Sequence, residues 1–255
     1  MLRCLRAYRR CSRTCYNEEH INKPFCDNRQ KKPDKFGMKL NTASFIIKIR
    51  TGMPICRRES ELQEVFYLKG IDVSRWQEKI DWEKVKADGI EFAFIKASQG
   101  GSISSLKIKP FTDSYFKRNI TNADAAGVFC GVYHYLTGVN QEDVIAEAEY
   151  LVRVLAPYIN IIKYPVALDF EDFRYTAHHK SLNSVLIRLF TGIIREAGYT
   201  PILYANRSFL RKHIDLSSLS NLDIWYALYY TPRRRINPPS DFSKMTVWQW
   251  SNSGS

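Results

Sequence analysis

No run in the 255 residues approaches 18 apolar positions, so no segment reads as a helix able to cross a bilayer. No secretory leader is recognisable at the start. MLRCLRAYRR is basic, but no apolar stretch of about 7–15 residues follows it, and FIIKI at 45–49 is short and carries a lysine. No CxxC pair occurs, which removes the common zinc patterns. GxGxxG after a first strand and GxxxxGK[ST] are both missing, which leaves a nucleotide-binding fold without support. Cysteine nearly disappears after residue 66. Cys4, Cys11, Cys15, Cys26 and Cys56 precede that point and only Cys130 follows it. The main part of the chain therefore has no disulfide framework and does not reveal its redox compartment. Cys130, inside VFCGVY, reads as a small buried hydrophobe.

What is present is unevenly spread. The formal net charge is +12, but residues 1–66 hold 15 Lys and Arg against 7 Asp and Glu, while the remaining 189 residues hold 23 against 19. The basic character belongs mainly to the N-terminal segment and says little about what the rest binds. No nucleic-acid partner is expected; a basic-arm contact with nucleic acid, lost when residues 1–66 are removed, is the weaker alternative. Residues 1–66 are expected to be poorly ordered, with one short strand or helix at most, and to contribute little to the fold. A translation start at Met38 or Met53 is an alternative account of them. Residues 67–255 are expected to form the working domain, with apolar residues at 45% of the chain to build its core.

From Leu68 onward short apolar runs alternate with amphipathic segments. Strands are predicted at 70–74 (GIDVS), 92–98 (FAFIKAS), 128–136 (VFCGVYHYL), 164–170 (YPVALDF), 200–206 (TPILYAN), 222–229 (LDIWYALY) and 245–251 (MTVWQWS). Helices are predicted at 80–89, 110–127, 141–158 and 180–198, three of them closed by Gly89, Gly127 and Gly198, with a short one near 207–213. About seven strands alternating with helices imply parallel strands joined by crossovers. In one domain of this size they fit an α/β architecture of the irregular (β/α) TIM-like barrel kind.

In such a barrel the working face lies at the C-terminal ends of the strands. The residues that collect there are Asp72, Lys96, Ser98, Tyr133, His134, Tyr135, Asp169, Glu171, Tyr204, Asn206, Tyr226, Tyr229, Trp248, Gln249 and Trp250. The segment ALDFEDF stands out, because three carboxylates interrupt an apolar strand. Residues two apart on a strand share a face, so Asp169 and Glu171 are expected together in the mouth, roughly 6–7 Å apart at their Cα atoms, with Asp172 turned away. Two close carboxylates repel, and one keeps its proton near neutral pH, which is what a general acid beside a stabilising carboxylate requires. Metal ligation by Asp72, Asp169 and Glu171 is another use of such groups, but no histidine clusters with them.

GIDVSRWQ, DWEKVKADGIEFAFIKAS, AAGVFCGVYHYL, AEAEYLV, YPVALDFED, AGYTPILYAN, DIWYALY and VWQWSNSG occur in this order. Together, over about residues 68–254, they resemble glycoside hydrolase family 25, the Chalaropsis-type lysozymes. The resemblance implies cleavage of the β-1,4 bond between N-acetylmuramic acid and N-acetylglucosamine in peptidoglycan, by a monomer working outside the cell or at the wall, without cofactor or metal. It implies Glu171 as proton donor, Asp169 as the group that positions the acetamido group or stabilises developing positive charge, and Asp72 in the same site. Lys96, Tyr133, Tyr135, Tyr204, Trp225, Tyr229, Trp248 and Gln249 are the expected substrate-binding residues. Two departures from the family pattern appear. Gln99 stands where the family usually has glutamate, and the final short strand with its aspartate is expected to be missing after Ser255. A peptidoglycan-binding domain with impaired catalysis is the alternative that follows from the second.

Overall fold

The computed structural model describes residues 43–50, 65–101, 109–229 and 242–252, with residues 43–50 and 65–67 as backbone only. All of them belong to the unit Lys39–Ser255. The strands are β1 (Ala43–Arg50), β2 (Val65–Val73), β3 (Phe92–Gln99), β4 (Phe111–Thr112), β5 (Phe129–Tyr135), β6 (Ile162–Asp169), β7 (Pro201–Asn206), β8 (Asp223–Ala227) and β9 (Met245–Gln249). The helices are α1 (Trp82–Ala87), α2 (Phe116–Ala125), α3 (Gln141–Leu155), α4 (Lys180–Glu196) and α5 (Arg207–Lys212).

The seven strands expected from the sequence are all present. The order β2-β3-β5-β6-β7-β8-β9 is parallel throughout, and the sheet curls. The two-residue β4 adds an antiparallel edge to β3. β1 lies antiparallel between β2 and β9, pairing with β2 over eight positions and with β9 over three. The pairings thus run in a circuit back to β2. The boundary expected between residues 66 and 67 falls inside β2, and ten residues of the basic segment, 43–50 with 65 and 66, belong to the sheet.

Strand alternation separates two apolar layers. Phe92, Phe94, Ala167, Ile202, Tyr204, Trp225, Ala227 and Val247 meet on the inner face. Their neighbours in sequence, such as Ile95, Leu168, Leu203 and Ile224, face outward under the helices. The helices supply apolar stripes at three-to-four spacing. α4 buries Asn183, Leu186, Ile187, Phe190 and Ile194, and α3 buries Val144, Ala148, Leu151 and Leu155. Gly89, Gly127 and Gly198 all have positive φ, which ends their helices and turns the chain into the next strand. Cys130 is buried, and burial raises its thiol pKa to about 12.

One buried polar chain ties the sheet to α3. Ser98 Oγ lies 2.8 Å from His134 Nδ1, and His134 Nε2 lies 2.9 Å from Glu147 Oε2. Glu147 also accepts from the backbone N–H and the hydroxyl of Thr137. A serine, a histidine and a carboxylate in line have the connectivity of a nucleophilic triad, yet all three are 0% exposed on the outer face, out of reach of any substrate. Their role is to fasten β3 and β5 to α3. Glu147→Ala leaves three donors or ring nitrogens without an acceptor. It is expected to cost about 3–5 kcal/mol and to lower the unfolding midpoint by about 10 °C, measured by circular dichroism. An unchanged midpoint contradicts this role.

Candidate active site

The C-terminal ends of β2, β5, β6, β7, β8 and β9 surround a cavity of about 250 Å³ lined by Asp72, Tyr133, Asp169, Glu171, Tyr204, Trp225, Tyr229, Gln249 and Asn252. β6 ends at Asp169, and Glu171 reaches the same space from the loop that follows. Asp72 is the penultimate residue of β2 and accepts a 2.8 Å hydrogen bond from Gln249 Nε2. Gln249 Oε1 in turn accepts from Tyr204 Oη at 3.0 Å. Beneath them Trp225 stacks on Phe94 with ring centres 4.4 Å apart, so the floor is aromatic and buried.

Three carboxyl groups in so small a space cannot all ionise cheaply. Burial pushes Asp72 up to about 7, against the opposing Gln249 hydrogen bond and with help from the Glu171 charge. Burial also holds Asp169 well above the ordinary carboxylate range, reinforced by Glu171 and partly offset by Lys96. Its Oδ1 is buried without a hydrogen-bond partner among the described residues. Glu171 is raised by burial alone. Lys96 is lowered by burial and supported by the charge of Asp169; its ammonium donates to Gln99 Oε1 at 2.8 Å and sits over the Tyr135 ring at 5.4 Å.

The other expected site residues divide. Tyr133, Tyr204, Trp225, Tyr229 and Gln249 line the cavity. Tyr135 stands beside it, donating to Asp172 Oδ2 at 3.3 Å. Trp248 does not face the cavity. It is buried in the outer layer and donates its indole N–H to Leu228 O at 2.9 Å. On β9 the alternation turns Val247 and Gln249 inward, so Trp248 must point out. The same rule sends His134 and Tyr226 outward. Asp172, expected to turn away, does not line the cavity. It accepts from the backbone N–H, Nε and Nη2 of Arg174 and caps a 3-10 turn. Burial raises its pKa, but these bonds outweigh burial and leave it below the ordinary range.

Three further residues belong to this end of the sheet. Asn252 completes the lining three residues beyond β9. Trp76 and Phe173, 75% and 78% exposed, follow the C-terminal ends of β2 and β6. The quoted motifs GIDVSRWQ and VWQWSNSG contain the first two, and following each strand one turn past its end would have found them. Among the described residues no three His, Cys, Asp or Glu side chains converge to hold a metal ion.

Residues 71–255 match the family described as Glycosyl hydrolases family 25. The chain belongs to glycosyl hydrolase family 25. The resemblance carried by the eight motifs therefore holds. YegX of Escherichia coli strain K12, named as an uncharacterized protein, is 31% identical over 196 residues, which is 74% of this chain and 65% of that protein. The family 25 chain thus spans just under two thirds of that relative's length. Lysozyme M1 of Streptomyces globisporus is 40% identical over 83 residues, 32% of this chain and 25% of that protein. The solved structure of a family 25 glycosyl hydrolase from Bacillus anthracis is 27% identical and superposes with a TM-score of 0.59, covering 73% of this chain and 80% of that one.

Stability should depend on pH through these carboxyl groups. Asp72 has a folded pKa of about 7 against an ordinary 3.8. Its ionisation therefore opposes folding. The associated stability is fully present below the ordinary value and is lost as pH rises toward and through 7. Asp72→Asn removes that loss, worth up to about 4 kcal/mol at about 1.4 kcal/mol per pKa unit. The variant is expected to unfold at least about 5 °C above the parent at pH 8 and near it at pH 4. An equal shift at both pH values would contradict the assignment.

Proposed function

We propose that the chain hydrolyses peptidoglycan, cleaving the β-1,4 bond between N-acetylmuramic acid and N-acetylglucosamine. The observation that supports this best is the convergence of Asp72, Asp169 and Glu171 in one aromatic-lined cavity of a family 25 chain. The circuit of strand pairings supports reading the curled sheet as an irregular (β/α) TIM-like barrel with the cavity at its C-terminal mouth.

The electrostatics distribute the roles. Burial and the Glu171 charge raise Asp169, but Lys96 favours its ionised form, whereas burial raises Glu171 with no cation to oppose it, so Glu171 takes the acid role. Glu171 therefore gives its proton to the glycosidic oxygen as the bond from that oxygen to C1 breaks. The Asp169 carboxylate faces the positive charge that grows at C1 or on the substrate's acetamido group. Water completes the hydrolysis and returns a proton. Asp72, held by Gln249, sets the charge of the pocket and bounds the sugar. Tyr133, Tyr204, Trp225 and Tyr229 supply flat surfaces for pyranose rings, and Trp76 and Phe173 extend that surface outward. The reading calls for no cofactor. The chain works on glycan strands at the wall or outside the cell, as a monomer. No described helix is long and apolar enough to cross a membrane.

The test is clearing of a peptidoglycan suspension, run beside a sedimentation assay for wall binding. Clearing together with binding is expected. Binding without clearing would overturn the hydrolase reading.

A further inference from the structure

We propose that residues 43–50, which lie outside the matched family segment 71–255, are a positioning element of the active site. They would act by closing the sheet between its first and last parallel strands. The functional half of this proposal rests on the hydrolase reading; the structural half does not.

The argument begins with backbone accounting. β2 and β9 are the two ends of the parallel run, and each would otherwise present an unpaired edge. β1 pairs along β2 from Ala43↔Asp72 to Arg50↔Val65. On its other side it pairs Phe45↔Gln249, Ile46↔Trp248 and Ile47↔Val247. Residues 45–47 thus have a partner strand on both sides, so each of their N–H groups points at a neighbouring strand.

The consequence for the site is a spacing. Paired strands lie about 4.8 Å apart, so one intervening strand sets β2 and β9 about 10 Å apart. At that separation the inward side chains of Asp72 and Gln249, on either side of β1, meet at 2.8 Å. Gln249 also holds Tyr204. Without β1, the two strands must either pair directly, at half the spacing, or splay. Both outcomes break the Asp72–Gln249 contact and reshape the cavity wall they share. The segment that composition marks as a dispensable basic arm therefore carries part of the site's geometry.

Hydrogen exchange read by mass spectrometry on the full chain tests this. Amides of 43–50 are expected to be protected at least about 100-fold over an unstructured peptide. Exchange at the unstructured rate overturns the proposal, whether or not any variant folds. Ile46→Pro removes one donor from a doubly paired strand. It should abolish protection at 43–50 and weaken it at 68–72 and 247–249, while the buried stretch 186–194 of α4 stays protected. Wall hydrolysis should then fall about tenfold or more, because misplacing a site by about 1 Å is costly. Ile46→Val keeps the N–H and should behave as the parent. A proline variant with unchanged exchange and hydrolysis overturns the proposal. If the exchange pattern appears as described and the parent clears no wall, closure stands and the hydrolase reading fails.

Discussion

Glu171→Gln is expected to lower the rate of wall hydrolysis by about 10²–10⁴, the usual worth of general acid catalysis, while wall binding changes less than twofold. Glutamine keeps the size of a protonated glutamate and much of its hydrogen bonding, but it has no proton to give the leaving oxygen. Glu171 lines the cavity beyond the end of β6 and is raised by burial alone, so the replacement removes no ion pair and no hydrogen-bonded partner of the fold. The folded state should therefore be unharmed, and more stable at any pH high enough that the parent must ionise this buried, upward-shifted group. Initial rates of turbidity loss at matched enzyme concentration check this, alongside the bound fraction after sedimentation. A variant with more than a tenth of parental activity would remove Glu171 from the acid role.

Asp169→Asn is expected to cost about 10²–10³ in rate, the scale on which a preorganised charge acts at a developing opposite charge. The reasoning differs from that for Glu171. Asp169 is almost fully buried, its Oδ1 has no hydrogen-bond partner among the described residues, and Lys96 is the cation that favours its ionised form. A charge kept so poorly solvated is costly to hold in the resting protein. It is repaid where positive charge appears on the substrate. Asp172→Asn gives the contrast. That carboxylate is already neutralised by Arg174 and lies outside the cavity lining, so its loss should cost about 1 kcal/mol of stability as a cap and change the rate less than about threefold. If Asp172→Asn harmed catalysis more than Asp169→Asn, the assignment of the pair would be inverted.

The parallel strands and the carboxylate pair were legible because both are local. Apolar runs bounded by glycine mark the strands, and a two-residue spacing at a strand end places Asp169 and Glu171 together whatever the rest of the chain does. Trp248 departs from the expected site because strand alternation, not membership of the VWQW motif, decides which side chains of β9 face the cavity. Trp248 and Gln249 are adjacent on β9, so only one of them can face the cavity. His134, also expected at the working face, points outward by the same rule, since its neighbours Tyr133 and Tyr135 face the other way. Its partner Glu147 was not legible, because nothing local links a helix glutamate to a strand histidine 13 residues earlier. β1 was the least legible element. ASFIIKIR shows no clean period, and its pairings with residues about 200 positions away leave no local trace. Asn252 reaches the cavity from past the last strand, where no periodicity guides the eye.

The most direct measurement is the chemical identity of the new reducing ends. Purified peptidoglycan is digested with the full chain, the soluble fragments are reduced with borohydride, and the terminal sugar alcohols are identified by mass spectrometry. The account predicts that muramitol ends accumulate with time and are absent from a Glu171→Gln digest. Glucosaminitol ends, or soluble peptides released without new reducing ends, would contradict it.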